Sequence, residues 1–280
     1  MKENGRNPLG PLETAAFIGY SIANGTRIGR DFTMEDMLNP NFLKHAIRTV
    51  ANVTRNEQGA LYFPQEAKKY AKYHLCTDGV ENIPKDGPLV FLINHYNLGP
   101  DNGMWTYSTV SKVVADNINQ GWERRYRFII KPEYEVTRGK NELVNRLKDK
   151  IIKPRADHIL RNTTEAADAI PAKGNGVEIR RTIKDGDVLV TFPSAIDRFE
   201  LPRGKEEIAG LIKLGLKVGV PIITVGTYHK GATLYVNFGK PITDDDIAGA
   251  KNDQEIVDRL MIGIARLLPI PMHGDYTGKV

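Results

Sequence analysis

The sequence predicts an α/β fold: a mixed, largely parallel sheet covered by helices, with an N-terminal helical extension. Short apolar runs recur along the chain, bounded by turn residues and too brief to be helices. Helix-length segments lie between most of them, and alternating strand and helix implies parallel strands joined by crossover helices. The size agrees, because 280 residues with 41% hydrophobic and 26% charged side chains suffice for one large core.

Residues 1–12 are rich in Gly, Pro and polar side chains, and 274–280 form a second tail, so both ends read as frayed. Lys2 and Arg6 precede the apolar stretch Ala15 to Tyr20, but Glu3, Asn4 and two prolines intervene, which fits a secretory signal poorly. Asn39-Pro40 reads as an N-cap followed by a first-turn proline, with Phe42, Leu43, Ala46, Ile47, Val50 and Val53 at helical spacing. The polar face of this helix is not strongly basic, which favours packing on a core over lying on a membrane. After the turn Lys85-Asp86-Gly87, Leu89 to Ile93 places five apolar residues in a row, the pattern of a buried strand. Further strands are expected at Phe128 to Ile130, Val188 to Phe192, Ile222 to Val225 and Leu234 to Phe238. Helices are expected over 101–117, 139–152, 174–184 and 205–218. A last helix, Asp253 to Leu268, aligns Ile256, Val257, Leu260, Ile264 and Leu267 on one face.

The single cysteine, Cys76, excludes an internal disulfide and a cysteine metal cluster, and suits a reducing compartment. A cytoplasmic location is therefore expected. Apolar stretches such as Leu211 to Gly226 meet lysines and a proline before reaching the roughly 20 residues a membrane span needs, so no transmembrane helix is expected. A formal charge of +5 suits anionic partners: nucleic acid, acidic lipid headgroups, or phosphorylated and CoA-like molecules. No nucleic-acid motif or aromatic stacking platform accompanies that charge, which argues against the first.

The most informative stretch is Phe91-Leu92-Ile93-Asn94-His95-Tyr96-Asn97-Leu98-Gly99-Pro100-Asp101, where a buried strand ends in histidine and aspartate stands at the start of the next helix. Sites in open α/β sheets form at the carboxyl ends of strands. A histidine there can act as a general base, and a carboxylate can orient its ring. The same residues also fit a packed histidine and an ordinary N-cap. A second strand, Leu189 to Phe192, runs into Pro193-Ser194-Ala195-Ile196-Asp197-Arg198, a small turn with a cation that could seat a phosphate or form a surface ion pair. Ser194 lacks the Gly-x-Ser-x-Gly elbow of a hydrolase nucleophile. Asp157 to Asn162 supplies another cation, Arg161, in a short strand-like piece. Gly219 to Val225 and Phe238 to Ile242 read singly as strand and turn signals.

Taken in order, Gly79-Val80-Glu81-Asn82-Ile83-Pro84, Asn94-His95, Asp101, Ile159-Leu160-Arg161, Phe192-Pro193-Ser194, Val220-Pro221-Ile222-Ile223 and Gly239-Lys240-Pro241-Ile242 resemble the glycerolipid acyltransferase family, which includes glycerol-3-phosphate and lysophosphatidate acyltransferases. Five residues separate His95 from Asp101, one more than the family's four, and Gly99-Pro100 is placed to absorb the extra residue in a turn. Ser194 stands where the family's third motif carries glutamate. The soluble plastid glycerol-3-phosphate acyltransferases look similar there, with Pro-Ser ahead of an Asp-Arg pair.

The resemblance implies an acyltransferase domain over 75–270, preceded by a helical extension (1–74) and followed by a tail (271–280). It implies that His95 is a general base oriented by Asp101, and that no covalent intermediate forms. The acceptor phosphate would be held at Arg161, Ser194, Asp197 and Arg198, helped by Arg203 and Lys205. The co-substrate would be acyl-CoA or acyl carrier protein, with no metal or other cofactor. The acceptor would be glycerol 3-phosphate, a lysolipid or a similar phosphate-bearing alcohol, used in phospholipid biosynthesis. Peripheral contact with the inner face of an anionic membrane is a further expectation. A non-catalytic relative that binds acyl-CoA or lipid is the alternative.

Overall fold

The computed structural model describes residues 62–67, 74–95, 103–130, 168–171, 176–194, 199–231 and 233–280. The helix expected after Asn39-Pro40, the helix over 139–152 and the strand-like piece at Ile159 lie outside them. The chain divides into two compact units, one of Tyr62–Ile129 with Asn175–Val280, the other of Met1–Leu61 with Ile130–Gly174. The strands are β1 (His74–Asp78), β2 (Leu89–Ile93), β3 (Tyr126–Ile130), β4 (Ile170–Pro171, in the smaller unit), β5 (Val188–Thr191), β6 (Ile222–Lys230) and β7 (Thr233–Pro241). The α-helices are α1 (Phe63–Glu66), α2 (Gly103–Asn117), α3 (Gly176–Lys184), α4 (Ile208–Lys217), α5 (Asp244–Ile247) and α6 (Asp253–Ala265).

In the larger unit the strands lie in the order β1-β7-β6-β2-β5-β3. β2 pairs in parallel with β5 and β6, β3 with β5, and β1 with β7; β6 and β7 are antiparallel. The mixed, largely parallel sheet expected from the sequence is thus the one that forms. All residues of β2 and β5 are buried, the two-sided burial that an unbroken apolar run signals. β7 instead alternates, with Leu234, Val236 and Phe238 buried and their neighbours part-exposed, as for a strand covered on one face.

Two features escape sequence patterning. β6 runs on to Lys230 and turns back at Gly231 (φ 61°), so the runs at 222–225 and 234–238 belong to one long hairpin. β1 has no apolar run, and all its residues, including Cys76, are exposed. The chain leaves β1 at Gly79, whose φ of 70° suits glycine and whose missing side chain lets the backbone approach β7: a Cβ would stand 2.0 Å from Phe238 O. Asn82 Nδ2 then donates to the same carbonyl at 3.0 Å.

The helices follow from capping and periodicity. Asn252 caps α6 by accepting from Glu255 N at 2.9 Å, and Ile256, Val257, Leu260, Met261 and Ile264 are buried along one stripe. α3 carries Glu178 in its first turn and Arg181 and Lys184 in its last, matching the helix dipole. Phe63 packs edge-on against Tyr107 of α2 and Phe128 of β3, with ring centroids 4.3 and 5.3 Å apart.

Of the tail expected to fray from Gly274, Tyr276 is anchored, while residues 277–280 are exposed. His273 Nε2 lies 3.0 Å from Leu268 O, and Tyr276 is fully buried. The Tyr276 hydroxyl accepts from Gly204 N at 3.2 Å and donates to Asp258 Oδ1 at 3.0 Å, and burial pushes its phenol up. Burial also acts to raise the Asp258 carboxyl. Hydrogen bonds from Arg203, Gln254 and Tyr276 outweigh that effect and hold it below its ordinary value. The tail offers no amphipathic pattern, and its one anchoring aromatic finds partners far away in sequence.

Replacing Phe63 with alanine should cost about 3–5 kcal/mol, read from urea unfolding, because Tyr107 and Phe128 both lose the ring packed against them. A second expectation concerns pH. Arg127, buried on β3, donates to Glu178 Oε1 at 2.6 Å and to Thr182 Oγ1 at 2.8 Å. That hydrogen bond is the main cause holding the Glu178 carboxyl below its ordinary value near 4.5. A depressed carboxyl contributes stability that is complete above its unfolded value and is lost as pH falls through the folded one. Unfolding midpoints should therefore fall as pH drops below about 4.5. Glu178→Gln should reduce that dependence.

Candidate active site

β2, β3, β5 and β6 are mutually parallel, so their carboxyl ends share one edge of the sheet. β2 stops at Ile93, while β6 continues. The handover falls on Asn94, which is buried. Its backbone N–H donates to Val225 O at 3.3 Å, and its side chain then takes over the ladder: Nδ2 donates to Thr227 O at 2.9 Å, and Oδ1 accepts from Thr227 N at 2.7 Å. The Thr227 hydroxyl adds a second bond to Oδ1 at 3.1 Å. The carboxamide thus substitutes for one more peptide unit of the ladder.

His95 is half-buried, and its ring meets that of Phe192, just beyond β5, with centroids 4.4 Å apart and planes at 63°. Pro193 and Ser194 follow and are both buried. The Pro193 carbonyl accepts from Lys205 N at 2.8 Å, tying this turn to the segment ahead of α4. The Ser194 hydroxyl is buried and has no hydrogen-bond partner among the described residues. The segments around His95 and Ser194, far apart in sequence, therefore meet at the carboxyl edge of two adjacent strands.

Asp101, Arg161, Asp197 and Arg198 lie outside the described residues, with Arg161 in the smaller unit. Lys205 is exposed. Arg203 has a carboxylate partner: its guanidinium donates to Asp258 at 3.1 and 3.4 Å, and its backbone N–H donates to Asp275 at 2.7 Å. That ion pair is one that sequence proximity could not reveal. Asn94 and Phe192, which position His95, were visible only as members of motifs. Among the described residues, no group of three His, Cys, Asp or Glu side chains could hold a metal ion, and no helix is long and apolar enough to cross a membrane.

No family model and no curated protein matches the chain. Among solved structures it is similar to the crystal structure of the 1-acyl-sn-glycerophosphate (LPA) acyltransferase PlsC from Thermotoga maritima, with 17% identity and a TM-score of 0.42, over 91% of this chain and 96% of that one. At that identity and score the likeness assigns no activity.

Asn94→Ala should cost about 2–4 kcal/mol in urea unfolding, because the Thr227 N–H and C=O lose their partners inside the protein. A change below about 0.5 kcal/mol would mean that the carboxamide is not the joint between β2 and β6.

Proposed function

We propose that this chain is an O-acyltransferase of glycerolipid type, moving an acyl group from a CoA or carrier-protein thioester to a hydroxyl of a phosphate-bearing acceptor. The observation that carries this reading is the meeting of His95 with the Phe192-Pro193-Ser194 turn at the carboxyl edge of the sheet. These are two of the segments on which the sequence resembles that family.

In the proposed reaction, His95 takes the proton of the acceptor hydroxyl as its oxygen attacks the thioester carbonyl. The carbon–sulfur bond breaks, and the thiolate leaves and recovers a proton. Asp101 would hold the imidazole in the correct tautomer. Arg198 would grip the acceptor phosphate, a task that bidentate guanidinium geometry suits; by sequence alone, Arg161 shares that role. Arg203 is the weaker candidate, because a ligand would have to displace Asp258. Ser194 in place of a glutamate removes a negative charge that would repel a phosphate.

The test is an acyl-transfer assay pairing acyl-CoA and acyl-carrier donors with glycerol 3-phosphate, lysophosphatidate and acceptors lacking phosphate. His95→Ala should lower turnover by about 100-fold or more with the fold intact. Asp101→Asn should lower turnover too. Arg198→Ala and Arg161→Ala should raise the acceptor KM several-fold and leave the thioester KM nearly unchanged. Thioester binding without turnover in the parent protein would favour the non-catalytic relative. A folded His95→Ala protein with full turnover would remove the histidine from the mechanism.

A further inference from the structure

The C-terminal segment meets residues 199–205 through contacts that depend on glycine on both sides. Leu201 N donates to Met272 O at 2.8 Å, and Asp275 N donates to Leu201 O at 3.1 Å. A Cβ on Gly274 would stand 2.4 Å from Leu201 O, and one on Gly204 would stand 2.4 Å from Val257 Cγ1. Real side chains do not come so close, so both glycines permit the approach. Gly204 is held at both ends of its peptide framework. Its N–H donates to the Tyr276 hydroxyl at 3.2 Å, and its carbonyl accepts from Gln254 Nε2 at 3.1 Å. Gln254 and Tyr276 converge in turn on Asp258 Oδ1, at 2.9 and 3.0 Å. The next residue, Lys205, makes the 2.8 Å bond to Pro193 O, and Phe192 carries the ring against His95.

We propose that Tyr276 is a positioning residue for the His95 pocket: its hydroxyl, bridging Gly204 and Asp258, holds the 201–205 segment, and through Lys205 and Pro193 it holds the Phe192-Pro193-Ser194 turn against His95. The proposal rests on the reading of that pocket as the active site. The series of contacts begins on α6, the helix that packs on the sheet, so the turn is referenced to the core and not to a surface loop. The phenol ring supplies burial and the hydroxyl supplies the link, which makes the two roles separable by a single atom.

The experiment compares the parent, Tyr276→Phe, and the control Asn252→Ala, which weakens the cap of α6 without touching Gly204. Amide exchange and the ring resonances of His95 are followed by NMR. In Tyr276→Phe the Lys205 amide should exchange about 10-fold faster and the His95 ring signals should move. In Asn252→Ala both should match the parent even if overall stability falls. An unmoved Lys205 amide, an unmoved His95 ring, or equal changes in the control overturns the proposal. If Tyr276→Phe does not fold, Gln254→Ala removes the bond to the Gly204 carbonyl and is read the same way. With an active parent, Tyr276→Phe should raise the acceptor KM several-fold at a nearly constant thioester KM, and an unchanged acceptor KM overturns the proposal. A parent that transfers no acyl group sinks the reading of the pocket as an acyltransferase site, while the exchange and ring signals still decide whether Tyr276 positions it.

Discussion

A strand that ends at a site must break its ladder where its neighbour still needs partners, and the Asn94 carboxamide resolves that conflict here. β6 extends past β2, so Thr227 would present a buried peptide group with nothing opposite it. The Asn94 side chain satisfies both the N–H and the C=O of Thr227. The location of His95 depends on this substitution of a side chain for a strand, while β7 pairs with β6 out to Lys230.

The opposite wall is held by different means. Among the described residues, Phe192, Pro193 and Ser194 are held by a backbone bond from Lys205 to Pro193 and by the Phe192 ring on His95. Burial also limits what position 194 can hold. A carboxylate at so enclosed a place would lose its hydration, at a cost well above the roughly 1–3 kcal/mol of burying a hydroxyl without a partner. The short polar side chain is compatible with the packing that brings the turn against the histidine.

The excess positive charge cannot be interpreted as a uniform field. Arg127 is neutralised by Glu178 across 51 positions, and Arg203 by Asp258 across 55. The first joins β3 to α3 and the second joins the segment ahead of α4 to α6, and each withdraws a cation from the set able to face an anionic ligand. Charge counting could rank ligand classes, but it could not say which arginines were committed elsewhere.

The strands β2, β5 and the starts of β6 and β7 were legible in the sequence because runs such as Leu89 to Ile93 are too short and too apolar to be anything but buried strand. α6 was equally legible because its apolar residues recur at the helical period, and α2, α3 and α4 as helix-length segments between the strand runs. The sequence also singled out His95, close behind such a run at a strand's carboxyl end, and Ser194, in the small polar turn that follows another. It could not supply β1, whose exposed residues carry no pattern and which exists only through β7. The partners of Asn94, the commitment of Arg203 to Asp258, and the docking of Tyr276 on Gly204 were decided by tertiary structure alone. Each is a single contact between residues tens of positions apart, and such contacts leave no periodicity for local patterning to register.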